Sequence, residues 1–131
     1  MILNYNFFKM NLSEITKTLV SEIKLTEIQA KIFLHVVIHG RMNTAQISSD
    51  LHISLDDAIQ NSKNLVELGG FIDMPNDEFE AMHPRFTAVN MYRKMCEREQ
   101  KEFKKNLDID NIGVALEVSY DDARTKYNKK K

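Results

Sequence analysis

The stretch TAQISSDLHISLDDAIQNSKNLVELGGFI, residues 44–72, determines how this chain can fold. Its pattern is that of a short helix opening at Thr44, a tight turn, and a second helix that leads into a strand. Ser54 is a residue type that caps the start of a helix. Gly69 and Gly70 end the second helix, because glycine readily adopts the left-handed conformation that often follows a helix. The stretch therefore predicts a helix–turn–helix followed by a strand.

The second helix of this stretch divides into two faces. Helical spacing predicts that the inward residues are Ala58, Ile59, Ser62, Leu65 and Val66. The outward residues are Gln60, Asn61, Lys63 and Asn64. Asp56 and Asp57 lie in the first turn, where unpaired N–H groups favour negative charge by about 0.3 to 1 kcal/mol. The helix is thus expected to show solvent a polar face with two acids at its start.

Further helices are predicted before this stretch. Ser13 is expected to cap a helix that ends near Ile23, with Leu12 on its apolar face. Thr26 is expected to cap a second helix that Gly40 ends, and its many apolar residues predict the most buried helix of the chain.

A small hairpin and a long helix are predicted after it. The runs FIDM, PNDE and FEAM have two-residue alternation around a turn, which is typical of an antiparallel hairpin. A long polar helix is predicted from Phe86 to about Asn106. The tail that follows contains a short helical pattern, with Ile109, Ile112 and Leu116 on one side, which is expected to fold back on the long helix or on a second subunit.

The order of these elements predicts a mainly α (α+β) fold, a winged helix-turn-helix with a small β-hairpin wing and a long C-terminal helix. Three regions follow. Residues 1–11 form an apolar N-terminal segment that is expected to dock at a dimer seam, residues 12–84 form the winged helix-turn-helix domain, and residues 85–131 form a long amphipathic helix and tail.

Charge is distributed very unevenly along the chain, although the net charge is only −1. Residues 42–82 carry eight acids against Lys63 alone, whereas residues 83–105 carry seven basic and three acidic groups. A field of one sign selects partners of the other sign. The middle of the chain therefore favours a basic partner, and the following segment an acidic one.

Composition predicts a cytoplasmic protein. The apolar opening of the chain is too short to cross a bilayer and lacks a small-residue cleavage pattern. Cys96 is the single cysteine, so an intrachain disulfide and a cysteine-cluster zinc site are both excluded. No membrane partner is expected.

The predicted long helix carries two stripes. Lys94, Arg98, Lys101 and Lys105 recur at steps of four, three and four, which places them on one side of a helix. The opposite side carries Val89, Tyr92, Cys96 and Phe103. An amphipathic helix of this kind can pack against a partner helix while showing positive charge outward. We therefore predict a homodimer joined through the apolar stripe, although such charges also serve simply to keep a long helix in solution.

The pattern resembles the winged-helix domain of the archaeal TrmB-like transcriptional regulators over about residues 12–95. The resemblance rests on LTEIQAKIFLHVVIHGRMNTAQISSDLHIS, on the helix ending LVELGGFI, and on FEAMHPRFTAV. Three features depart from that family: acids at the start of the recognition helix, the doubled glycine, and the absence of a large effector-binding domain after it. The resemblance implies a compact DNA-binding regulator, and the third departure means that sugar sensing is not carried over.

Double-stranded DNA is accordingly the predicted partner. Asparagine and glutamine can pair bidentately with adenine in the major groove, and cations neutralise phosphates. The same amides also occur on solvated helix faces that bind nothing. The residues predicted to contact DNA are Arg41, Thr44, Ser54, Gln60, Asn61, Lys63, Asn64, Lys94, Arg98, Lys101 and Lys105.

The alternative function is that of a winged-helix protein-interaction module that uses its acidic face on a basic protein partner and does not bind DNA. The sign of the charge around the second helix favours this alternative, whereas the family resemblance favours the regulator.

Enzymatic and metal-binding functions are not predicted. His35 and His39 are one helical turn apart, but Val36 stands where the zinc-protease motif requires its general base, and no third ligand is suggested. Neighbouring acids such as Asp56 and Asp57 diverge on a helix and do not form a general acid and base couple. The chain has no phosphate-binding glycine loop, and no cofactor is expected.

Overall fold

The computed structural model describes residues 10–130, and the side chains of residues 10–126. The apolar N-terminal segment was predicted over residues 1–11, and its residues 1–9 lie outside the described residues. Met10 is partly buried against the core, and Asn11 caps α1. Within the described range the fold is mainly helical, with a small three-stranded antiparallel sheet and a long C-terminal helix. In chain order the elements are α1 (Leu12–Glu22), α2 (Glu27–His39), β1 (Met42–Asn43), α3 (Thr44–Leu51), α4 (Leu55–Leu68), β2 (Ile72–Met74), β3 (Glu78–Glu80), α5 (Pro84–Arg98) and α6 (Leu107–Lys130).

Three of the helices begin with the same reciprocal pair of hydrogen bonds. The N-cap side chain accepts from the backbone N–H three residues later, whose glutamate or glutamine accepts in turn from the N-cap N–H. Thr26 caps α2 as predicted, and Gly40 ends it with φ 92°. The prediction for α1 was wrong by two residues, because Asn11 and not Ser13 forms its cap.

The sheet has the strand order β1-β3-β2. The predicted hairpin is confirmed, since β2 and β3 pair antiparallel with Met74 opposite Glu78. Asn76 and Asp77 form the turn with positive φ angles of 66° and 58°, a conformation that Asn and Asp tolerate better than most residues. The two-residue strand β1, which pairs with β3 through Met42 and Phe79, was not predicted.

The C-terminal part of the chain differs most from the prediction. The helix expected to reach Asn106 ends at Arg98, and Gln100 follows with a left-handed φ of 56°. The short tail helix is instead α6, which spans 24 residues and is the longest helix described. Its apolar stripe of Ile109, Ile112 and Leu116 is buried, and α6 packs against α1, α2 and α5. Folding back on the chain itself was one of the two expected positions for this tail.

One hydrophobic core is formed by residues from both sides of the predicted boundary at residues 84 and 85. Helix α2 supplies its centre, with Ile32 and Phe33 at 0% exposure. Ile112 of α6 is equally buried in the same cluster. The prediction that Leu12 faces the core was wrong, because its side chain is 53% exposed.

Helix α6 is held against the start of α5 by a close backbone approach and by charge. A Cβ on Gly113 would lie 2.6 Å from the Cα of Arg85, so only glycine allows this separation of the two helices. Four residues later, the carboxylate of Glu117 accepts from the Arg85 guanidinium at 2.9 Å and lies 3.5 Å from His83 Nε2.

Candidate nucleic-acid interface

The turn between α3 and α4 is held by local hydrogen bonds. His52 takes a left-handed φ of 57° at the end of α3. Its neighbour Ile53 donates its N–H to Ser48 O at 3.1 Å, and its carbonyl accepts from Ser48 Oγ at 2.6 Å. Ser54 then caps α4 as predicted, accepting from the Asp57 N–H at 3.0 Å. These bonds determine the direction in which α4 leaves the turn.

The predicted division of α4 into two faces is confirmed. Ala58, Ser62 and Leu65 are each at 0% exposure, while Ile59 and Val66 are partly buried. On the other face Gln60 and Lys63 are exposed, and Asn61 and Asn64 are half-buried.

The amide side chains on this face are partly engaged with one another and with the backbone. Asn61 Nδ2 donates to the Asp57 carbonyl at 2.8 Å, and Gln60 Nε2 donates to Asn64 Oδ1 at 3.1 Å. The side-chain oxygen of Gln60 and the side-chain nitrogen of Asn64 make no hydrogen bond within the described residues. One acceptor on Gln60 and one donor on Asn64 therefore remain for base edges, whereas bidentate pairing with adenine would require one of these amides to release its present bond.

Acidic groups are exposed at the start of α4 and on the hairpin. Asp56 and Asp57 are both exposed in the first turn of α4, where the helix terminus stabilises them. The hairpin turn adds Asp77, which is also exposed. The nearby cation Arg41 lies 2.6 Å from Glu78 of β3 through its Nε, so its predicted phosphate contact would compete with an ion pair inside the chain.

The predicted cationic stripe is only partly formed. Lys94 and Arg98 lie on α5, and Lys94 packs its aliphatic stem against Gly69 at the end of α4. Lys101 and Lys105 lie in the loop after α5 and not on a helix, so the prediction that all four share one helical face was wrong. Helix propensity alone gave no sign of the break, because CEREQKEFKK has neither glycine nor proline.

Both loop lysines form ion pairs with acidic side chains. Lys101 Nζ lies 3.1 Å from Glu99, whose hydrogen bond and charge raise the pKa of Lys101. Lys105 Nζ lies 3.4 Å from Asp110 at the start of α6. Such exposed pairs contribute little to stability, so phosphates can still compete for these lysines.

The DNA contact predicted for Thr44 does not fit the burial of this residue. It is 7% exposed, and its N–H donates to the carbonyl of Asp77 at 3.3 Å. Helix α3 begins at Thr44 as predicted, and Asn43, one residue earlier, is its N-cap. Thr44 therefore joins α3 to the hairpin and is not available for a DNA contact.

The predicted dimerisation stripe is largely covered by the chain itself. Cys96 is 1% exposed, while Val89 and Tyr92 are partly buried against the core. Phe103 is 47% exposed, but its ring centroid lies 6.0 Å from that of Tyr92. The prediction for Cys96 was wrong because α5 contributes this face to the core that α6 completes.

Two arrangements were not predicted from the sequence. His35 Nε2 lies 2.8 Å from Asp50 Oδ2, and the rings of His35 and His39 are 4.5 Å apart. Partial burial lowers the pKa of His39, and the charge of the neighbouring His35 lowers it further. The described residues contain no cluster of three or more His, Cys, Asp or Glu side chains suited to a metal ion. The other arrangement is a cavity beside the sheet, whose charged residues Glu80 and Arg124 are far apart in sequence.

Comparisons with protein-family models, curated proteins and solved structures give no match. Among the described helices, none has the length and apolar character needed to cross a membrane.

Proposed function

We propose that α3, α4 and the β2–β3 hairpin act as a winged helix-turn-helix, and that the protein is a DNA-binding transcriptional regulator in the cytoplasm. The observation that carries the proposal is the polar outward face of α4, where Gln60 and Lys63 are exposed, while Ala58, Ser62 and Leu65 on the inner face are buried. A helix presented in this way has the dimensions to enter a major groove. The resemblance to TrmB-like regulators points in the same direction and stays a prediction.

Each polar residue of the face has a separate role in this proposal. The free oxygen of Gln60 and the free nitrogen of Asn64 contact base edges, and Asn61 supports them through its bond to Asp57 O. Lys63 contacts a phosphate. Ser54 keeps the N-terminus of α4 in place.

Phosphate attraction comes mainly from outside the acidic segment. Lys94 of α5 lies against the end of α4 at Gly69, and Arg98 follows one turn later on α5. Neither residue makes an ion pair within the described part of the chain. Because Asp56 and Asp57 oppose phosphate binding, we expect moderate affinity and a strong dependence on salt.

Selection of duplexes from a random pool, followed by fluorescence anisotropy titrations at several salt concentrations, tests the proposal. Lys63→Gln should weaken binding to all sites and reduce the salt slope by roughly 1. Lys17→Gln is the matched control, since Lys17 is exposed on α1, away from α4. Gln60→Ala should instead reduce discrimination between selected and random sites by about 1–3 kcal/mol. Equal affinity of the wild type and both α4 variants would contradict the proposal.

A second candidate function is supported by the charge around α4. Asp56, Asp57 and Asp77 are exposed, and Arg41 is paired with Glu78, so this surface suits a basic protein segment. A titration with a lysine-rich peptide separates the two functions. Salt-sensitive binding of the peptide, lost in Asp56→Asn with Asp57→Asn, together with no binding to DNA, would favour the interaction module.

The homodimer predicted through Val89, Tyr92, Cys96 and Phe103 is not part of the proposal. Cys96 is buried within one chain, and Tyr92 already contacts Phe103 of the same chain. Binding to DNA through α4 does not require this seam.

A further inference from the structure

A cavity of about 530 Å³ lies between the end of α2, the sheet and the last part of α6. It is separate from the outward face of α4. Cavities of roughly 300–1,000 Å³ with mostly apolar walls and a few polar groups are typical of small-molecule sites. Its apolar walls are formed by Val36, Val37, Ile72, Ala81, Met82 and Ala123.

Two of these apolar lining residues have large side chains that are exposed to solvent. Ile72 is 37% exposed and Met82 is 46% exposed. Exposed apolar surface that lines a concavity is a common sign of a binding site, because a ligand can remove it from water. The cavity therefore favours an occupant with an apolar body.

The charged residues of the cavity divide into engaged and available groups. Arg41 is paired with Glu78, and His83 lies 3.5 Å from Glu117. Glu80 and Arg124 form no ion pair with each other or with another described residue. Arg124 donates only a long hydrogen bond of 3.4 Å to the Tyr120 hydroxyl. The cavity thus offers one carboxylate and one guanidinium that a ligand can reach.

We propose that this cavity binds a free α-amino acid with a large apolar side chain. Arg124 would bind the ligand carboxylate, for which its planar guanidinium provides two parallel donors. Glu80 would bind the ammonium group, and the apolar walls would enclose the side chain. A simple organic anion is less suitable, because it would leave Glu80 unpaired beside its own charge.

Isothermal titration calorimetry with three related compounds tests the chemical class. L-phenylalanine carries both charges, 3-phenylpropionate lacks the ammonium group, and phenethylamine lacks the carboxylate. The wild-type protein should bind L-phenylalanine at least about tenfold more tightly than either analogue, since each analogue lacks one of the two charge-assisted contacts. Equal binding of all three compounds, or no binding of L-phenylalanine at millimolar concentration, would overturn the proposal.

Two variants assign the charges to the two ends of the ligand. Arg124→Gln should weaken the binding of L-phenylalanine about tenfold. The binding of phenethylamine should be unchanged, because that analogue has no carboxylate. Glu80→Gln should weaken the binding of L-phenylalanine to a similar extent, while the binding of 3-phenylpropionate should be no weaker than to the wild type. Lys126→Gln on α6 and Asp73→Asn on β2 are matched controls that should bind as the wild type does, since neither residue lines the cavity.

Circular dichroism of each variant confirms folding, which the partial exposure of both side chains should preserve. Folded Arg124→Gln and Glu80→Gln proteins that bind L-phenylalanine like the wild type would place the ligand elsewhere and overturn the assignment.

Discussion

Helices α4 and α6 each bury one stripe of side chains, but they differ in what covers the rest of their surface. The stripe of α6 completes the core against α1, α2 and α5, and its flank is tied to α5 through Glu117. On the outer face of α4, Gln60 and Lys63 are exposed, and Lys63 makes no ion pair within the described part of the chain. The difference indicates that α6 stabilises the fold, whereas the exposed face of α4 is the surface that we propose for a partner.

The largest expected effect concerns the buried stripe of α6. Ile112→Ala removes a side chain at 0% exposure and should lower the free energy of unfolding by about 2–5 kcal/mol. Val118→Ala on the same helix, at 70% exposure, should change it by no more than about 0.5 kcal/mol. Urea denaturation followed by circular dichroism measures both. Similar values for the two variants would show that α6 is not part of the core.

The next effect concerns the close approach of α6 to α5. Gly113→Ala would place a methyl group 2.6 Å from the Arg85 Cα, which is backbone and cannot rotate away. The strain should lower the free energy of unfolding by about 1–3 kcal/mol even though alanine is the better helix former. The same denaturation experiment applies. A stabilised variant would show that the two helices lie farther apart.

An effect of opposite sign is expected on the inner face of α4. Ser62 Oγ is buried and has no hydrogen-bond partner within the described residues. Ser62→Ala should therefore raise the free energy of unfolding by about 1 kcal/mol, because it removes an unsatisfied polar group. Ser49→Ala, at an exposed position of α3, measures the gain from helix propensity alone. An equal gain in both variants would show that burial of Ser62 costs nothing.

The smallest effect is the dependence of stability on pH through His39. Partial burial and then the charge of His35 lower its pKa in the folded protein, whereas Asp50 opposes the shift. The unfolded chain, in which the pKa has its ordinary value of 6.5, therefore takes up a proton first, and stability decreases as the pH falls through that value and below it. His39→Gln should reduce this decrease in the urea midpoint. A variant with the same pH dependence as the wild type would exclude His39 as its source.

The two halves of the chain were predictable to different degrees. Local signals determined α2 and α4, because Thr26, Ser54, Gly40 and Gly69 cap or end these helices through their own side chains or backbone freedom. The face of α4 followed from periodicity, which the packing then confirmed.

The break after Arg98 had no comparable local signal, since charged residues of high helix propensity continue through it. The turn at Gln100 is closed by a backbone hydrogen bond from the Lys101 N–H to the Cys96 carbonyl at 2.8 Å, and no residue type in this stretch predicts it. A signal did exist at Asn106, whose side chain accepts from the Asp108 N–H at 3.0 Å and precedes two acids in the first turn of α6. The sequence could not show that Glu80 and Arg124 line the same cavity, because one lies on β3 and the other on α6.

The central claim is that the outer face of α4 is the partner-binding surface, and nuclear magnetic resonance mapping tests it most directly. Amide shifts of the ¹⁵N-labelled protein would be followed while a duplex selected by the chain is added at low salt. We predict that the largest changes fall on residues 54–64 and that Lys63→Gln diminishes them. Changes confined to α6, or no changes at duplex concentrations that saturate the anisotropy signal, would contradict the account.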